Sequence, residues 1–289
     1  MKRADRGVLR FAVVLHGLLL MVCASSGPAE EPKVRFRDLV FQSYEADDFA
    51  PVSKELGLQD KKVEFTTLEY KILLLRGPDD KGTYVDPKTH RFKIGDRIRV
   101  SVRPLGKSYI YIYHVGASGE GRFLVPKAEE EARLFQPKEL VSLPEDGYLE
   151  FVPPPGDEKL FVVATAKPVE DRVVLARVVA SRDDRNDTPE MKQVRQSLTS
   201  VVKDVLVSTV EKEQAKREKM VIYRGLFSAG SEREKLLKDI KTRGVQRGSL
   251  ELPPEEKGEG TLIVSFRTAD LPKDVGTGML VTIPLRSEQ

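Results

Sequence analysis

From Arg97 to Val102 the chain runs Arg-Ile-Arg-Val-Ser-Val, and shortly afterwards comes Tyr109-Ile-Tyr-Ile-Tyr113. Strict alternation of polar and apolar residues suits only a strand, where successive side chains point to opposite faces. Ile98, Val100 and Val102 therefore share one face, while Arg97, Arg99 and Ser101 share the other. Gly95-Asp96 marks a turn before this run, and Pro104-Leu-Gly106 ends it. The tyrosine stretch alternates phenols with isoleucines, residue types that fit a pleated, half-buried surface. Gly116-Ala-Ser-Gly119 then connects to a strand over Arg122 to Val125. The three strands read as a meander with one apolar face. Such a face needs a second layer, which points to a β-sandwich, Ig-like or a partly open barrel.

Flanking segments supply more strands: Val63 to Phe65, Leu68 to Leu75, Glu139 to Ser142, Gly147 to Val152 and Leu160 to Thr165. The order Phe92-x-x-Gly95-Asp96-x-Ile98-x-Val100, then Tyr-Ile-Tyr, a glycine hairpin and a strand ending at Pro126, resembles the bacterial family called domain of unknown function 4384. Upstream, Leu56 to Gln59, Leu68 to Gly77 and Tyr84-Val-Asp-Pro87 resemble its lead-in. Downstream, Leu143-Pro144, Phe151, Pro155 to Glu158 and Val162 to Pro168 resemble its closing strands. The resemblance spans residues 56–168. It implies architecture and company rather than chemistry: the family has no established activity, and its members are extracytoplasmic or attached to peptidase-like, kinase-like or repeat domains. An accessory binding role follows from the resemblance.

Residues 1–26 have the three parts of a secretory signal: a basic start, an apolar run from Phe11 to Val22, and small residues at Ala24, Ser25 and Ser26. The run is shorter than the roughly 20 apolar residues that cross a bilayer. Cleavage after Ala24 or Ser26 leaves a periplasmic or extracellular protein. An alternative is lipidation at Cys23, against which stands Val22, where a small residue is expected. Once the signal is removed no cysteine remains, so disulfides and thiolate catalysis are excluded. Four of the 48 basic and one of the 45 acidic side chains lie in residues 1–26, which leaves 44 of each beyond them. That balance argues against nucleic acid, whose binding requires a basic face.

Residues 27–55 read as a linker with irregular structure, 56–168 as the sandwich, 169–188 as a second linker, and 189–289 as an α+β region. The last either folds by itself or completes the first domain. Val173 to Ala180 suits strand or helix, and the acidic pair Glu170-Asp171 before it favours helix. Asp187-Thr188-Pro189-Glu190 is a helix start. Met191, Val194, Leu198, Val201, Val202, Val205 and Leu206 extend one apolar stripe, predicting a helix to about Lys219 that packs on its own domain or on a partner. A strand over Val221 to Phe227, a second helix from Ser231 to Arg243, and strands over Thr261 to Thr268 and Met279 to Leu285 complete the region.

The residues beyond 26 hold two histidines, His90 and His114, neither in metal-ligand spacing. No metal or cofactor is expected: Walker and dinucleotide-binding glycine motifs are absent, and no acidic cluster has EF-hand spacing. The Asp183–Asp187 run could hold a weak calcium ion, or merely cap the helix that follows. Ser118, His114 and Asp96 are the weak candidates for a serine hydrolase, but the Gly116–Gly119 turn lacks the G-x-S-x-G elbow. The stronger expectation is binding, without catalysis. Tyr109, Tyr111 and Tyr113 would form a row for a protein or glycan partner, joined across the sheet by Arg97 and Arg99. The competing reading places that row under a loop or a helix.

Overall fold

The computed structural model describes residues 34–77, 80–181, 185–201, 220–224, 247–269 and 278–289. The signal segment, Cys23, Asp79, Asp183, Asp184 and the expected helix from Ser231 to Arg243 lie outside the described residues. Two helices come first, α1 (Phe36–Ala46) and α2 (Ala50–Glu55). Then follow strands β1 (Val63–Leu75), β2 (Thr83–Val85), β3 (Phe92–Lys93), β4 (Arg97–Pro104) and β5 (Ser108–Val115). Next are β6 (Gly121–Val125), β7 (Leu134–Phe135), β8 (Val141–Leu143), β9 (Leu149–Glu150) and β10 (Asp157–Thr165). Helices α3 (Arg172–Ala180) and α4 (Pro189–Ser197) precede β11 (Leu198–Val201) and β12 (Met220–Arg224). The chain closes with β13 (Arg247–Leu252), β14 (Thr261–Thr268) and β15 (Gly278–Glu288).

The strands form two sheets, as a mainly β sandwich requires. One has the order β12-β13-β14-β1-β4-β8, with β2 beside β1 and β9 beside β4. The other runs β11-β15-β10-β5-β6, with β3 beside β15 and β7 beside β5. Their inner faces meet in an apolar cluster. Leu68, Ile72, Ile98, Val100 and Val102 come from the first sheet, and Ile110, Ile112, Leu160, Val162 and Ile283 from the second. Burial along β4 alternates at every residue, as its sequence demands.

The meander is corrected in one respect: β4 and β5 lie in opposite sheets, and Leu105–Lys107 carries the chain from one layer to the other. Alternation tells which face is buried but not which neighbour a strand takes. The two apolar faces of the organising stretch therefore cover each other instead of lying side by side.

Helices seal the outer faces. Phe36, Val40, Val52 and Leu56 pack against Leu250, Leu262, Val264 and Phe266 on the outside of the first sheet. Residues 36–55 are thus two docked helices, not the linker expected there. In α1 Phe36, Val40 and Tyr44 recur at four-residue steps with Leu39 and Phe41 beside them, a helical signal that the linker reading passed over. On the second sheet α3 and α4 cover Tyr111, Phe161 and Val163 with Leu175, Val178, Val179 and Met191. Asp171 caps α3 by accepting from Val173 and Val174 N–H at 2.7 and 3.1 Å. Helix over Val173 to Ala180 is the structure's answer to that ambiguity.

Thr188 caps α4, but this helix stops at Ser197 rather than near Lys219. Leu198–Val201 is a strand that runs parallel to β15. Leu198 and Val201 fit the helical step, yet the intervening Thr-Ser suits an extended chain equally well. Residues 189–289 and 56–168 share both sheets: β14 pairs with β1, and β15 with β10. The Asp86–His90 turn is also tied in, since Lys88 forms an ion pair with Glu251 on β13.

Gly121 is among the glycines required by close approach. A Cβ on Gly121 would stand 2.0 Å from the Tyr113 hydroxyl oxygen. The Tyr113 ring crosses this bare backbone and meets Phe123 edge-on, with ring centres 4.9 Å apart. Gly121→Ala should therefore cost about 1–3 kcal/mol in urea unfolding through overpacking. Adding Tyr113→Ala should cancel the clash, so the two costs should not sum.

Candidate functional site

The tyrosine row is not an open surface. Tyr111 is 0% exposed and lies beneath α3, its hydroxyl accepting the Val169 N–H at 2.7 Å. Burial pushes its phenol above the ordinary tyrosine range. Tyr109 and Tyr113 border the same cluster and are half-buried. This is the covered alternative, and its cause is α3, whose valines and leucine need an apolar floor.

Arg97 and Arg99 do not extend that row, because β4 belongs to the other sheet. They sit on its outer face, past the end of the helical cover. The register builds that face strand by strand. Tyr84 on β2 lies opposite Leu73 on β1, and Leu73 lies opposite Arg99 on β4. One step along, Leu75 faces Arg97, and Arg97 faces Glu150. One step the other way, Lys71 faces Ser101, and Ser101 faces Ser142. Residues directly opposite in antiparallel pairs project to the same side, so all of these share one surface.

The details of that surface are polar and aromatic. The Arg97 guanidinium lies 4.3 Å from the centre of the Tyr148 ring and pairs with Glu150 at 3.0 Å. Arg99 donates through Nε and Nη2 to the Gly147 carbonyl at 3.1 and 2.8 Å, and no carboxylate pairs with it among the described residues. Lys71 donates to the Gly258 carbonyl, and its ammonium lies 5.6 Å from the centre of the Tyr84 ring. Tyr84 and Tyr148 are 49% and 44% exposed. Stacked cations of this kind are held in place yet keep donors available.

Where α1 does cover the sheet, charge is buried. Glu69 on β1 is 3% exposed. It accepts from Arg37 Nη2 at 2.6 Å, Arg103 Nη2 at 2.5 Å and the Gly260 N–H at 3.0 Å. More charged groups lie around this clamp. Arg35 binds Asp38 at 2.8 Å and Glu259 at 3.0 Å. The Arg35 hydrogen bond holds Asp38 below its usual range. Burial works against Glu259, but N–H donors from Glu255 and Glu256, with Arg37 and Arg35, still hold it low. Nearby, a cavity of about 150 Å³ opens between α1 and the β4–β5 crossover, lined by Tyr44, Thr66, Gly106 and Lys107. Burial pushes the Tyr44 phenol up to about 12.

The hydrolase candidates are placed as follows. His114 Nε2 lies 2.7 Å from Glu158 Oε2 at one end of the interlayer seam. Ser118 is exposed in the adjoining turn. Asp96 opens β4 in the other sheet and accepts the Lys93 N–H at 2.8 Å. The acidic partner of His114 is therefore Glu158, which the sequence reading did not pick out. A strand register is what brings these two together, and residue types alone carry no signal of it. Asp187, the last member of the acidic run, grips Arg195 through both oxygens at 2.7 and 3.1 Å. No group of three metal-ligating side chains occurs among the described residues, and none of their helices is long and apolar enough to cross a membrane.

Comparison with known proteins gives one family. The model for "Domain of unknown function (DUF4384)" matches residues 91–168. The match runs from the start of β3 to the residues just after β10 and leaves the resembling lead-in, with β1, outside. No curated protein and no solved structure matches the chain.

Two outcomes test the charge clamp. Glu69→Gln leaves two guanidiniums facing a neutral amide and should lower unfolding stability by about 3 kcal/mol, since one partner of a buried pair is removed. Asp38 and Glu259 have folded-state values below their unfolded ones, so their contribution is complete at neutral pH. It should be lost as pH falls through the ordinary carboxylate range and on to the folded-state values. Arg35→Ala should flatten that acid-side decline in thermal midpoints measured from pH 7 to pH 2.

Proposed function

We propose that this is an exported binding or scaffolding module of the bacterial cell envelope, with no catalytic role of its own. One observation carries the reading. Among the described residues no helix covers the outer face of the first sheet beyond α1, and there it presents Tyr84 and Tyr148 with Lys71, Arg97 and Arg99. Exposed aromatic rings and arginines are the side chains from which recognition surfaces are built. The leader-like first 26 residues and the likeness to a family with no established activity support the same reading.

Footprinting by hydroxyl radicals, with and without envelope extract, tests the binding role. Protection is expected at Tyr84 and Tyr148 and not at the covered Tyr111. Unchanged labelling of both exposed rings would remove the reading. Intact mass of the exported form tests the route: an amino terminus at Ser25 or Gly27 is expected, whereas a diacylglycerol-modified Cys23 would make the protein a lipid-anchored one.

The His114–Glu158 contact favours a second reading, a hydrolase with Ser118 as nucleophile. That reading requires a hydrolytic turnover which Ser118→Ala abolishes. Turnover that survives the change removes it.

A further inference from the structure

Asn186 is the only asparagine among the 289 residues, and it opens the tripeptide Asn186-Asp187-Thr188. In an exported chain, Asn-x-Ser/Thr with any middle residue but proline is the acceptor sequence for N-linked sugar. We infer that Asn186 is a glycosylation site, with an oligosaccharide joined to its side-chain nitrogen; the inference rests on the export proposed above. In sequence an acid, Asp184, stands two positions ahead, the form of the acceptor that bacterial transferases take.

The structure removes the ordinary reasons for an asparagine at this place. Asn186 is exposed, in the turn between α3 and α4. Turns favour asparagine where the backbone is left-handed, yet the non-glycine residues with positive φ are Asp47 and Lys138 among those described. Nor is Asn186 the helix cap. Thr188 holds that position, its hydroxyl accepting the Met191 N–H at 3.3 Å. Asp187 is anchored as well, being 7% exposed with both carboxylate oxygens on Arg195. The two residues after the asparagine therefore serve the fold, while the asparagine itself faces solvent.

Its place also leaves the rest of the surface usable. Helices α3 and α4 cover the outer face of the second sheet, whereas Tyr84 and Arg97 stand on strands of the first. A sugar chain at Asn186 is thus on the opposite side of the sandwich from the candidate binding face. A bulky, hydrated group is tolerated at such an exposed turn, where it displaces no packed side chain.

The transfer needs a transferase and a sugar donor carried on a lipid pyrophosphate. Asn186 Nδ2 forms a bond to the anomeric carbon of the donor and gives up one of its two protons to a base. The bond from that carbon to the phosphate oxygen breaks, and the lipid pyrophosphate leaves with the electron pair. In the folded protein the Thr188 hydroxyl is engaged as a cap and Asp187 is gripped by Arg195. Transfer therefore precedes the docking of α4, on a segment still extended.

The test is intact mass and peptide mapping of the full chain recovered from the exported fraction of its own host. The wild type is compared with Asn186→Gln, Thr188→Ser and Thr188→Asp. A mass above that of the processed polypeptide is expected, with the added sugar mapping to Asn186. It should be lost completely in Asn186→Gln and kept in Thr188→Ser. Aspartate caps a helix at least as well as threonine, so Thr188→Asp keeps the fold and loses only the acceptor, as unchanged thermal midpoints will show. Sugar that persists in Asn186→Gln or in Thr188→Asp would overturn the assignment. A processed chain at its bare polypeptide mass would remove the glycosylation and leave export standing. A chain that keeps its first 26 residues would remove both.

Discussion

Strand β1 must satisfy a different neighbour on each face and at each end, and the remaining layers are arranged around that demand. Its inward side chains, Leu68, Tyr70, Ile72 and Leu74, belong to the seam between the sheets. Its outward residues change along its length. Phe65 packs with the helical cover, Glu69 anchors that cover by charge, and Lys71 belongs to the bare face. A period of two lets one strand serve both faces without compromise, because no side chain has to serve two environments. The position of Glu69 marks where the helical cover ends and the bare surface begins.

The same geometry explains why Glu69 can be buried. A carboxylate removed from water needs charge and hydrogen bonds to replace hydration. Arg37 arrives from the helix, Arg103 from the neighbouring strand, and Gly260 from the turn before β14. Three separate pieces of chain meet at one group. A helix of eleven residues is marginal alone, and the ionic contact fixes where it sits. The surface left over is then determined as much by the clamp as by the strands.

Much of this architecture was legible in the residues. The alternation over Arg97 to Val102 identified which side chains are buried, and every one of them is. The acidic pair Glu170-Asp171 and the start at Thr188 marked real helix starts. What escaped was partnership. Nothing local tells β5 to join the opposite sheet from β4, since a turn of proline, leucine and glycine can lead to either layer. The covering of Tyr111 was open for the same reason: a row of tyrosines suits a solvent face and a helix floor alike. At the candidate site, Arg97 and Arg99 were visible in sequence, while Tyr84 and Tyr148 were not. Tyr148 follows a glycine in a turn and Tyr84 lies in a three-residue strand, and only the strand register and the Arg97 contact set them around the arginines.

The pairing of β1 with β14 joins segments that lie some two hundred positions apart in the chain, as the contact between Val63 and Thr268 shows. The second sheet has its own long-range seam where β10 meets β15. Contacts this distant are slow to form, because a long loop must close before any of them is gained. Until β14 and β15 are made, β1 and β10 each carry an open edge, and such edges invite pairing with other chains. The nascent protein therefore cannot finish either layer until β14 and β15 have been made. Between the making of β1 and the making of β14, such a chain depends on whatever keeps its edges apart.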